Sequence, residues 1–192
     1  MPSFSCVLAA RTAPQHERGF TLYELLTTLT VIAVLATIAI PTFQYLTARE
    51  RQSAAMNTFI AALYTARSEA IKRGERAVLC PSRNGQSCDG AGTGGTIWSE
   101  GYLLFVDENA NQEREPEEAI VQVFGKTRGI RILSSRGRDH VTYQASGLAR
   151  GTNATFQFCS ERNVVPARSL VVSNTGRVRV APRTATPAAC QA

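Results

Sequence analysis

From Leu25 to Ile40 the chain carries no charged residue, and its only polar side chains there are Thr27, Thr28, Thr30 and Thr37. With Phe20 and Leu22 ahead of it, the apolar stretch reaches about 20 residues, the length at which an α-helix crosses the hydrocarbon core of a bilayer. One residue does not fit a plain membrane anchor. Glu24 stands at the start of the run, and a carboxylate in hydrocarbon is costly enough to need a partner and a purpose.

The residues around that carboxylate, Arg18-Gly19-Phe20-Thr21-Leu22-Tyr23-Glu24-Leu25-Leu26, resemble the start of a type IV pilin or pseudopilin. The resemblance implies that a prepilin peptidase cuts after Gly19 and that the new N-terminus, Phe20, is methylated. It also implies that Glu24 pairs with the free N-terminal amine of a neighbouring subunit. A buried amine and a buried carboxylate each cost several kcal/mol alone and much less together. The alternative is an ordinary signal anchor that happens to carry a glutamate.

Three segments are then expected: a leader over residues 1–19, one long helix over 20–74, and a globular head over 75–192. Arg11 and Arg18 flank the end of the leader, as in a segment held on the cytoplasmic side. Residues 20–40 form the transmembrane or filament-core part of the helix. Pro41 lacks an N–H and is expected to kink or locally melt it. Residues 42–74 are amphipathic: Ala55, Phe59, Ala62, Leu63, Ala66 and Ala70 recur at helical spacing, while Arg49, Glu50, Arg51, Arg67, Glu69 and Lys72 are expected to face water. Gly74 is a fitting stop.

Beyond Arg76 the pattern changes to short strands and turns. Strands are expected at Ala77–Cys80, Trp98–Val106, Glu118–Phe124, Ile130–Leu133, Val141–Tyr143, Thr155–Cys159, Leu170–Val172 and Arg177–Val180. Between them lie a Gly/Ser/Asn-rich loop over 81–96, an acidic turn over 107–116 and a turn at Asn174-Thr175-Gly176. A long helix packed on an antiparallel sheet makes an α+β fold. The stretches "VLCPS", "WSEGYLLFVDENAN" and "EEAIVQV" resemble the GspH/FimT group of minor pseudopilins and minor pilins, most closely its FimT branch.

Cys6 lies in the expected leader, which leaves Cys80, Cys88, Cys159 and Cys190. An even number in a domain placed outside the cytoplasm favours disulfides. Four cysteines allow three pairings. The favoured one joins Cys80 to Cys88 across a short loop and Cys159 to Cys190, pinning the tail. Zinc is disfavoured: no Cys-x-x-Cys pair exists, and His140 is the only histidine beyond the leader. No cofactor is expected.

Asp107, Asn109, Asn111 and Glu113 alternate somewhat like a calcium loop, but the glycine of such a loop is missing, so a polar turn is the reading. Asn153-Ala154-Thr155 is a bare sequon. His140 beside Asp139, with no glycine elbow at a serine, makes no catalytic set, and no enzyme is expected.

Charge marks the remaining candidate. Net charge is about +2 over residues 20–74, −6 over 75–124 and +9 over 125–192. A basic C-terminal third points to a polyanion, although arginines also solubilise strands. At Gly176-Arg177-Val178-Arg179-Val180 a strand would put Arg177 and Arg179 on one face about 6–7 Å apart, with Val178 and Val180 facing the core. Two planar guanidinium forks at that spacing suit successive phosphates. The Gly-Arg-x-Arg pattern resembles one in FimT-like minor pilins that bind DNA in natural transformation. Arg183, Arg168, Arg162 and Arg150 are candidates to widen the patch.

The expectation is therefore a single-pass inner-membrane protein with a periplasmic head. It would later join other pilin subunits in an extracellular pilus, where it captures double-stranded DNA. The rival expectations are a GspH-like structural subunit of a type II secretion pseudopilus, with no nucleic-acid role, and an assembly-priming minor pilin whose basic face meets an acidic partner subunit.

Overall fold

The computed structural model describes residues 19–89, 97–135, 137–181 and 190. It divides into two units, one ending at Pro41 and one beginning at Thr42. The expected leader, including Cys6, lies outside the described residues.

One α-helix, α1, runs over Leu22–Arg73, and it is long and apolar enough to cross a membrane. Thr21 caps it: the Glu24 N–H donates to Thr21 Oγ1 at 3.2 Å, which satisfies one of the free donors of the first turn. The threonines of the apolar run are accommodated by a local device. The hydroxyls of Thr27, Thr28, Thr30 and Thr37 each donate to the carbonyl three residues earlier, at 2.7–2.9 Å, so none needs water. In the first unit Leu29, Ile32, Leu35 and Ile38 are all more than half exposed, so this apolar surface has no cover within the unit. Pro41 does not end the helix; helical structure continues through it, as it can where only one backbone bond is forfeited and the flanking turns are intact.

In the second unit Gln52, Ala55, Met56, Phe59, Ala62, Leu63, Ala66 and Ala70 form the buried stripe of α1. Four of its eight members are alanines, so the helix backbone can approach the sheets closely. Phe59 is the central large residue, fully buried with ring centroids 4.6–5.8 Å from Trp98, Tyr102, Phe156 and Phe158. The helix stops at Gly74, whose φ of 71° is left-handed and whose N–H donates to Ala70 O at 3.1 Å, a C-terminal arrangement that favours glycine.

The stripe packs on two antiparallel four-stranded sheets. The first has β3 (Ile120–Phe124), β2 (Tyr102–Asp107), β1 (Arg76–Pro81) and β5 (Val141–Tyr143) in that order. The second has β4 (Ile130–Ser134), β6 (Ala154–Ser160), β7 (Arg168–Val172) and β8 (Val178–Val180). β1 and β2 are buried on both faces. Ala77, Leu79 and Leu104 join the main core, and Val78, Cys80, Leu103 and Phe105 form a second cluster beneath Cys88.

Three strands start later than the sequence expectation. Trp98–Gly101 precedes β2 as a turn, because Gly101 adopts φ 136° with Ser82 O only 2.6 Å from where a Cβ would stand. Glu118 stays in the loop before β3, its carboxylate accepting from the main chain. β8 starts at Val178 rather than Arg177.

The four cysteines of the head are bonded Cys80–Cys88 and Cys159–Cys190. Cys159 and Cys190 form a small buried cluster with Ala167, and Arg131 donates to Cys190 O at 2.8 Å.

Candidate nucleic-acid interface

The β7–β8 connection is a tight turn over Ser173–Arg177. The Ser173 N–H donates to Arg177 O at 3.0 Å and the Gly176 N–H to Ser173 O at 2.8 Å; the Ser173 hydroxyl also donates to Arg177 O. Gly176 is buried with φ +75°, and a Cβ there would stand 2.4 Å from Gly147 O and 3.0 Å from Tyr143 Cε1. The glycine thus has a packing reason of its own. A second turn, which contains Gly147, passes so close that no side chain fits.

The turn is held from behind as well. The Gly176 carbonyl accepts from Arg67 Nη1 at 3.3 Å and from the Tyr143 hydroxyl at 3.5 Å. Burial raises the Tyr143 phenol above its ordinary value, with Arg67 pulling the other way, so the hydroxyl keeps the proton it donates. Arg67 was expected to face water. It is half-buried instead, because Gly176 O offers it an acceptor that the helix pattern alone does not reveal.

Arg177 and Arg179 are both exposed, and neither guanidinium has a hydrogen-bond or ion-pair partner among the described residues. Arg179 sits on β8 opposite Val171, while Arg177 is the last residue of the turn, so strand alternation does not fix its direction. Val178 packs against the core. Val180, expected to face the core, is 45% exposed, because β8 is the outer strand of its sheet.

The other arginines divide into engaged and free. Arg168, on β7, reaches Ser53 Oγ at 3.4 Å. Arg138 donates to Gly151 O at 2.7 Å and Asn153 Oδ1 at 3.4 Å. Arg150 and Arg162 are exposed and lack partners among the described residues. Arg183 lies outside the described residues.

At the other end of the chain, Gly19 and Phe20 are exposed ahead of α1, and Glu24 is exposed in its first turn.

The acidic turn uses its carboxylates on itself. Buried Asp107 accepts from the N–H groups of Asn111 and Gln112 at 3.1 and 3.3 Å. Buried Glu118 accepts from Glu108 and Glu115 at 3.1 and 3.0 Å. The amides of Asn109 and Asn111 donate to Glu115. His140 Nδ1 lies 2.8 Å from Asp139 Oδ1.

Comparison with known proteins agrees with this architecture. The pattern defining the family described as type II transport protein GspH matches residues 55–176, and the prokaryotic N-terminal methylation motif matches residues 14–40. The pilin-like protein PilA1 of Thermus thermophilus is 31% identical over 171 residues, which is 85% of this chain and 98% of that one. A fimbrial protein of Pseudomonas aeruginosa is 32% identical over 116 residues, 60% of this chain and 73% of that one. Among solved structures, the type IV minor pilin FimU of Pseudomonas aeruginosa superposes with a TM-score of 0.55 at 22% identity, over 74% of this chain and 96% of that one, a likeness of fold.

Proposed function

We propose that this chain, which belongs to the GspH family and carries the prokaryotic N-terminal methylation motif, is a minor pilin that captures double-stranded DNA on its β7–β8 hairpin for uptake. That it is a minor type IV pilin- or pseudopilin-like protein follows from the family; the DNA role is the step beyond. One observation carries it: Arg177 and Arg179 hold exposed guanidiniums without partners among the described residues, at a turn that Gly176 packing keeps in place. Two open cations at an anchored turn favour phosphate contact, sequence-independent and weakened steeply by salt.

The test is a titration of the head, from Thr42 onward, with labelled duplex DNA at low and high salt. Binding at low salt is expected, and Arg177→Ala/Arg179→Ala should flatten the log K against log salt line by about 2, near 1 per lost phosphate contact. No binding by the wild type at low salt rules the DNA role out. Equal binding by the double variant rules this site out.

The N-terminal part of the proposal follows the motif. A prepilin peptidase cleaves after Gly19, Phe20 is methylated, and the protein rests in the inner membrane with a periplasmic head until assembly. In the filament Glu24 then neutralises the terminal amine of a neighbouring pilin. Protein isolated from cells should begin at Phe20; a chain still beginning at Met1 would sink the assembly reading.

A structural subunit of a secretion pseudopilus, without nucleic-acid contact, is the second reading. One observation favours it: Gly176 is explained by its contact with Gly147 and Tyr143, so a Gly-Arg pair can arise there for packing alone.

A further inference from the structure

We propose that Arg150 is a third phosphate-contacting cation, joined to Arg177 and Arg179 by the docking of two turns. The inference rests on the DNA-binding reading above. In sequence Arg150 lies 27 positions from Arg177, and it is one of several scattered arginines with an equal claim to the site. The fold separates them.

Two close contacts join the turn around Gly147 to the β7–β8 turn. The Ala149 N–H donates to Asn174 O at 3.0 Å. Gly147 O faces Gly176 so closely that a Cβ at Gly176 would stand 2.4 Å away. Arg150 follows Ala149 directly, as Arg177 follows Gly176, so the two cations leave adjacent, mutually anchored strands of backbone. Arg138 fixes the next turn, closed by the Thr152 N–H on Ala149 O at 3.3 Å, through Gly151 O at 2.7 Å. Arg150 is exposed and has no partner among the described residues. No acidic residue occurs in 144–155 or 169–181, so nothing on either segment neutralises the group.

The rivals fail on placement. Arg162 follows the Ser160 end of β6, whereas the turn adjoins its Ala154 end, where Ala154 pairs with Val172. Six residue steps at about 3.3 Å put those ends roughly 20 Å apart. Arg162 also has Glu161 beside it. Arg168 lies at the same far end, opposite Phe158, and is bonded to Ser53.

The experiment uses the full chain in neutral detergent with a short labelled DNA duplex, measuring affinity across a salt series. Arg150→Ala should reduce the slope of log K against log salt by about 1, and Arg162→Ala should leave it unchanged. Arg150→Lys should keep most of the slope, since a point charge still displaces a counterion. Thermal unfolding of Arg150→Ala should match the wild type, which excludes a folding defect. If Arg150→Ala keeps the wild-type slope while Arg177→Ala/Arg179→Ala loses about 2, the third cation is wrong and the DNA reading stands. If Arg162→Ala loses as much as Arg150→Ala, or Arg150→Lys loses as much as Arg150→Ala, the localised contact is wrong. If the wild type binds no duplex, the DNA reading fails and this inference with it.

Discussion

The acidic loop between β2 and β3 and the basic turn between β7 and β8 are both strongly charged in sequence, yet they use charge in opposite ways. In the acidic loop the carboxylates of Asp107 and Glu118 are buried and receive four main-chain N–H groups. They do the work that a regular strand pairing would do elsewhere, and they allow Ala110 and Gln112 to sit at φ 66°. In the basic turn the backbone is held by Ser173, Gly176, Arg67 and Tyr143, and the guanidiniums of Arg177 and Arg179 take no part. A run of charge is therefore informative only once it is known whether the fold consumes it. A charge that holds its own loop is structural, and one left without a partner on a rigid turn is available to a ligand.

Mutations can break that contrast, and the largest effect should come from the turn's packing. Gly176→Ala places a Cβ against Gly147 O and Tyr143 at a left-handed φ. Because backbone rather than a flexible side-chain end is in the way, the cost should be about 3 kcal/mol or more. A fall in the urea midpoint reads it, and unchanged stability would show that the two turns are not locked. Next comes Asp107→Ala, which orphans the Gln112 N–H and leaves the Asn111 N–H only its bond to Asn109 Oδ1, in a part-buried loop. A loss of about 1–3 kcal/mol is expected, and a loss under about 0.5 kcal/mol would mean that the loop does not depend on its acid. The smallest stability effect belongs to Arg177→Ala/Arg179→Ala. Exposed and without partners among the described residues, these should change stability by less than about 0.5 kcal/mol, while the DNA-capture proposal has them removing most duplex affinity at moderate salt. A large stability loss in that variant would place the arginines with Asp107 rather than opposite it.

Much of the architecture was legible before any coordinates. Helical periodicity from Ala55 to Ala70 marked the core face of α1, because a stripe buried against a sheet must repeat every three or four residues. Most strands showed as short β-branched and aromatic runs between turn residues. The misreadings have local causes. Trp98 and Glu118 are strand-like neighbours of real strands, but Gly101 and the needs of the acidic loop cut those strands short. Arg67 reads as a solvent-facing helix residue because its acceptor, Gly176 O, lies 109 positions away. Val180 reads as core because its pattern does not say that β8 is an edge.

Local chemistry in the chain was enough to determine an N-terminal apolar helix, a β-rich head, the motif around Gly19 and Glu24, and a basic final third. Each of these depends on composition or on residues within one or two turns of each other. Which arginines stand together, and which are consumed, was decided only in three dimensions. Ala149, next to Arg150, bonds to the Gly176 turn, Arg138 and Arg168 are tied to other partners, and Arg162 is carried to the opposite end of β6. The reason is that an ion pair, a close backbone approach or a free guanidinium is set by neighbours far off in sequence, and spacing along the chain holds no record of them.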